Sequence, residues 1–187
     1  MTITLSPTMM AEAEVSLRLA FYLLSRPESG ATAVVAIDGA HVRVHGEEVF
    51  PLARFLELAG WRQTEQQGKN PWQGNYTRDG KTLLITPKSG IGDVVAAIAG
   101  KNVRAECKKG PLIPKKGNPE FPLIREAIGQ LMTVEKVTEN DFLVVGIPCT
   151  EGFRKLARRW QGRPLMVQTK ITIALIGRDG VVEGLPW

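Results

Sequence analysis

Cysteine is scarce: Cys107 and Cys149 are the only two in 187 residues. Two thiols in a chain this long make no disulfide framework, so a reducing, cytoplasmic compartment is expected. Histidine is equally rare, at positions 41 and 45, and the Arg43 cation between them argues against a two-histidine metal site. Long apolar runs are missing. The longest, Val15 to Leu24, is broken by Arg18 and follows an acidic stretch. It is too short to span a bilayer and lacks the basic start of a secretory signal, so no membrane association is expected. Aromatics are 6% of the chain, and Trp61, Trp72, Trp160 and Trp187 follow no pattern; they read as core or surface anchors rather than a base-stacking platform. Gly90-Ile91-Gly92 has no third glycine and precedes a strand, which excludes a dinucleotide-binding loop. No Ser-His-Asp or Cys-His arrangement stands out, and no internal repeat is visible.

What remains is an ordinary globular composition, 43% hydrophobic and 23% charged, with a net charge of +5. The basic residues are concentrated. Lys101 to Lys116 holds six against one acid, and Arg154 to Arg163 holds five and none. Such runs make a solvated face or a polyanion-binding surface.

Helical spacing of Val15, Leu19 and Leu23 predicts a helix over residues 11–24 that Pro27 ends. Ala33–Ile37 and His41–His45 flank Asp38-Gly39 and predict a two-stranded ribbon. These 46 residues are expected to form an N-terminal extension to a core over residues 47–187. A second helix is expected from Glu47 to Ala59, stopped by Gly60, with Glu48 on its inward stripe. Residues 66–80 read as a loop or frayed hairpin and Lys81–Thr86 as a strand. Asp93–Ala99 and Asn102–Lys108 predict a hairpin turning at Gly100-Lys101. Asn118-Pro119-Glu120 marks a helix start, with the helix continuing to about Glu135. Phe142–Ile147 is apolar throughout, as expected of a central strand buried on both faces. A basic helix over residues 153–160 and a strand within Met166–Ile176 complete the pattern.

The hairpin carries the chemistry. With Ala99 opposite Asn102, Asp93 faces Lys108 and Val95 faces Glu106, so Asp93, Glu106 and Lys108 project from one side. Asp93 and Glu106 then lie on a diagonal, about 7–8 Å apart at the backbone, within reach of one cation. Two carboxylates plus waters suit Mg²⁺, with Mn²⁺ able to substitute, and Lys108 beside them could assist an attacking water on a phosphodiester. On geometry alone the same residues equally make a cross-strand salt-bridge cluster. Cys107 points to the other face and reads as a core residue.

Gly92-Asp93-Val94-Val95 followed by Val103-Arg104-Ala105-Glu106-Cys107-Lys108 resembles the signature of the PD-(D/E)XK nuclease superfamily, with Gly92 in place of the proline for which the motif is named. The resemblance implies an α/β, restriction-endonuclease-like αβββαβ core with a central mixed β-sheet flanked by helices. It implies a metal-dependent nuclease hydrolysing DNA phosphodiesters, with Asp93 and Glu106 on the metal and Lys108 assisting the water. It also implies an extra glutamate from the first core helix, for which Glu48 stands, and a site-facing glutamine from the later helix, Gln130. Lys109, Lys115, Lys116, Arg154, Arg158 and Arg159 are expected to hold DNA phosphates. Symmetric duplex cleavage would need two sites, which suggests a homodimer. The alternative is a catalytically inactive nucleic-acid-binding or assembly protein that keeps the fold.

Overall fold

The computed structural model describes residues 3–88, 90–113 and 116–187. Helix α1 (Glu12–Leu24) forms where its apolar spacing places it, with Val15, Leu19 and Leu23 almost wholly buried. It is followed at once by strand β1 (Ser29–Ala36), whose Ala33 and Val35 turn into the same core. β1 does not fold back on residues 41–45. It pairs in parallel with β4 (Lys81–Thr86) and antiparallel with β5 (Val94–Ile98), two longer partners that outweigh a local ribbon. Asp38-Gly39 still turns, but the Asp38 carboxylate accepts the Ala40 N–H at 3.0 Å and caps a short 3₁₀ turn over Gly39–His41. Beyond it Arg43–Val44 and Glu47–Glu48 make a small ribbon of their own.

Helix α2 spans Leu52–Leu58, shorter than the expected 47–59. Pro51 sets the boundary: the residue before a proline is steered out of helical geometry, so no helix runs from Glu47 through Phe50. β2 (Arg62–Gln66) and β3 (Gly74–Arg78) extend the sheet where a loop or frayed hairpin was expected. β5 turns into β6 (Lys101–Cys107), which lies parallel to β7 (Asp141–Pro148); β8 (Thr172–Ile176) and the short β9 (Val182–Glu183) finish the far edge. The nine strands run in the order β9-β8-β7-β6-β5-β1-β4-β3-β2, a mixed sheet.

Helices cover both faces. α1 and α2 pack over Ala105, Cys107, Val144 and Ile176, and Phe21 of α1 stacks on Phe55 and Trp61. α3 (Glu120–Leu131) and α4 (Glu151–Gln161) cover Leu143, Val145, Ile173 and Leu175 on the other face, with α5 (Pro164–Thr169) following α4. Pairing β1 between β4 and β5 and burying α1 in the main core ties residues 12–36 into the central sheet and its core, instead of leaving them as an extension. The first turn of α1 is pinned: buried Glu14 takes Arg18 at 2.9 Å and Arg178 at 2.8 Å, so the turn after β8 clamps the start of the helix. Among the described residues no helix is long and apolar enough to cross a membrane.

Candidate active site

The β5–β6 hairpin closes with Ala99 at φ 48° and Gly100 at φ 73°. Two left-handed residues make a type I′ turn, whereas a turn over Gly100-Lys101 was expected. Ile98 therefore pairs with Lys101 and Val94 with Ala105. Each strand slides one residue relative to the expected register. A slide of one on both strands preserves the faces, but the regular pairing ends at Val94 opposite Ala105, and Asp93 leaves it in an irregularity with its own N–H also turned to Ala105 O.

Asp93 is fixed at both backbone and side chain. Its N–H donates to Ala105 O at 2.8 Å, and its Oδ2 accepts the Cys107 N–H at 2.7 Å. Gly92 lets the chain come this close: its φ is +130°, and a Cβ there would sit 3.0 Å from Ala105 O. Burial raises the Asp93 pKa, partly offset by the Cys107 N–H. Glu106 is pushed up to about 7, first by burial and then by the Asp93 charge near it. Lys108 is 5% exposed, and its Nζ lies 3.1 Å from Glu126 Oε1 of α3. Burial works against its charge, but Glu12 and Glu126 outweigh it and leave the pKa above the usual lysine value. Lys108 is thus an ammonium at neutral pH, suited to stabilising negative charge rather than removing a proton.

The carboxylates open into a cleft of about 800 Å³. Gln130, at the end of α3, reaches this cleft, as do His41, Lys88, Arg104 and Lys136. Glu12, in the first turn of α1, acts electrostatically on Asp93, Glu106 and Lys108, and its Oε1 lies 3.6 Å from His41 Nε2. Glu12 is thus a helix-borne acid that acts on this cluster. Glu48 is exposed on the small ribbon and lines a different cavity. An acid opening the helix before β1 was the signal in the sequence, visible once α1 rather than α2 is taken as the first core helix.

The expected phosphate contacts divide. Lys109 and Lys116 are exposed just beyond β6; Lys115 lies outside the described residues. Arg154 is engaged by Glu183 at 2.7 Å, which also raises its pKa, so it is not a free phosphate ligand. Arg159 lines a separate cavity between α3 and α4, and Arg158 is exposed on α4. The helix turns its charge away because its apolar stripe, Phe153 and Ala157, must face the sheet. In their place the cleft has Lys88 and Lys136, neither with an ion-pair partner among the described residues, and Arg104, held 3.0 Å from Asp141.

Two neighbouring carboxyls lining one cleft, one of them pushed up to about 7 by burial and by the other's charge, form an electrostatic conflict that a divalent cation relieves. The donors are all oxygen, which suits a hard ion such as Mg²⁺. Among the described residues no three His, Cys, Asp or Glu side chains converge as a metal-holding group. Two protein carboxylates with water and substrate oxygens completing the shell is the arrangement such an ion accepts. No protein-family model matches the chain, and comparison with curated proteins and with solved structures found no match.

Proposed function

We propose that the protein is a metal-dependent nuclease with a restriction-endonuclease-like core. The observation that carries the proposal is one cleft lined by both Asp93 and Glu106 and by Lys88, Arg104 and Lys136, with the buried Lys108 two residues beyond Glu106 held by Glu126. The chain order supports the fold assignment: α1, then β1, β5 and β6 as an antiparallel run, then α3 and parallel β7 give αβββαβ, with residues 37–92 inserted between the first two strands of that run.

Asp93 and Glu106 would hold Mg²⁺ or Mn²⁺, which when bound polarises the phosphodiester and acidifies a water. Lys108, oriented by Glu126, offers its ammonium to the oxygen that gains charge as the phosphorus becomes five-coordinate. Glu12 keeps that lysine charged. Gln130 presents an amide to the cleft, able to orient a water or a phosphate oxygen. Lys88, Arg104 and Lys136 attract the backbone of DNA through charge alone.

The test is cleavage of linear, circular, branched and single-stranded DNA with Mg²⁺ or Mn²⁺, alongside Asp93→Ala and Lys108→Ala at equal folded concentration. Metal-dependent cutting that both substitutions abolish is the expected result. Inert wild type that still binds DNA would make the acids structural and the protein a binding module.

A further inference from the structure

The inserted segment between β1 and β5 builds a second cavity, about 690 Å³, within the roughly 300–1,000 Å³ range of small-ligand pockets. Its wall is aromatic, with Trp61, Trp72 and Tyr76, and its rim carries Glu48 and Glu57. The half-buried Trp72 is held from behind. The Tyr76 hydroxyl donates to Trp72 O at 3.0 Å, and Gln63 Nε2 donates to Pro71 O at 2.9 Å and to Gln73 O at 3.1 Å. Asn70 and Gln73 close the same loop, Asn70 N–H onto Gln73 Oε1 and Gln73 N–H onto Asn70 O, each at 3.0 Å. Such bracing presents a ring at little entropic cost on binding. The indole N–H groups of Trp61 and Trp72 are both shut off from solvent, so the rings offer the cavity their carbon surfaces.

The cavity lies beside the carboxylate cleft, separated from it by one short turn. Asp38 and His41 line the cleft, whereas Gly39, Val42 and Arg43 line the aromatic cavity. Consecutive residues therefore face opposite sides of a wall one backbone thick. The wall is rigid: Val42 and Phe50 are buried, and both the Val49 and Phe50 N–H groups donate to Val42 O.

We infer that this cavity is a nucleobase pocket that receives one base of the strand whose phosphate lies in the cleft. A base supplies a planar face for Trp72 and an exocyclic amine for Glu48 or Glu57. The pocket accordingly favours adenine, cytosine or guanine over thymine, which has no amine. The inference rests on the nuclease reading of the neighbouring cleft.

The test measures binding without divalent metal, so that nothing is cut. A single-stranded 12-mer of amino-bearing bases is compared with a series in which each position in turn is abasic, against wild type, Trp72→Ala and Trp72→Phe. One abasic position is expected to weaken wild-type binding about tenfold, the scale of a single stacked base. The same position is expected to cost nothing further in Trp72→Ala and to cost its full penalty in Trp72→Phe, which restores a ring; circular dichroism verifies that each variant is folded. Additive losses at every position would overturn the pocket, because a stacked pair must be coupled. Deoxynucleoside monophosphates that bind more tightly than any 12-mer would overturn the assignment to a strand in favour of a free nucleotide. Asp93→Asn is expected to keep the coupling between base and Trp72, so loss of the cutting reaction and loss of the base pocket are read separately.

Discussion

Asp93 and Glu106 line one cleft at the open end of the β5–β6 hairpin, with the Cys107 N–H holding the Asp93 carboxylate in place. The pair costs the protein stability whenever both are charged. Glu106 titrates at about 7 when folded and near 4.5 as an ordinary glutamate. Between those values the folded state binds more protons than the unfolded state, so stability falls as pH rises from about 4.5 through 7. Urea denaturation at pH 5 and pH 8 is expected to give a larger drop for wild type than for Glu106→Gln. Mg²⁺ added at pH 8 is expected to recover stability in wild type alone. Equal drops in both proteins would remove Glu106 as the source.

Lys108 depends on Glu126 for its position, since the two meet at 3.1 Å while Glu126 itself is exposed. Lys108→Ala is expected to lower the cutting rate by about 10²–10³-fold, as loss of one preorganised donor does. Glu126→Gln is expected to lower it by about 10–100-fold, the usual effect of removing a group that orients another. Because Glu126 touches no substrate, DNA affinity in Glu126→Gln is expected to match wild type. A rate loss accompanied by equal weakening of DNA binding would contradict the positioning role.

The cleft cations define a salt experiment. Lys88→Ala and Lys136→Ala are each expected to weaken DNA binding at all sequences and to reduce the slope of log affinity against log salt by about 0.9. Arg154→Ala is expected to leave that slope unchanged, because its guanidinium is already committed to Glu183. If Arg154→Ala flattens the slope instead, the phosphate path runs along α4.

Ala99 stands in a left-handed conformation that costs an alanine about 1–2 kcal/mol. Type I′ turns favour Asn-Gly, and Gly100 is already in place. Ala99→Asn is expected to stabilise the protein by about 1 kcal/mol, seen as a melting temperature about 2–4 °C higher. No gain would mean that the turn residues are strained for a reason beyond their own backbone.

That turn also shows how far the sequence could be read. Alternation brought Asp93 and Glu106 to one cleft because strand faces have a period of two, and a slide of one residue on each strand leaves them unchanged. How the two strands pair depended on the two turn conformations, which Ala-Gly-Lys does not announce. α1, β4, β7 and the helical character of residues 151–161 were legible for the same periodic reason. Glu48 was misplaced because Pro51 was read through rather than as a boundary. Glu12 was missed because β1 pairs across 45 and more residues with β4 and with β5, and such long-range pairing leaves no local trace. The basic runs were real, but which way a surface helix turns its charge follows from what its apolar side must cover.

The inserted segment leaves β1 and returns to β5 at nearly the same point, for the Ala36 N–H donates to Asp93 O at 2.8 Å. Departure and return are thus stapled together next to Asp93. The 37–92 segment between them is no detachable graft: its β4 runs along β1 and its Phe55 and Trp61 stack on Phe21 of α1, so exchanging it would unseat the strand and helix that frame the acids.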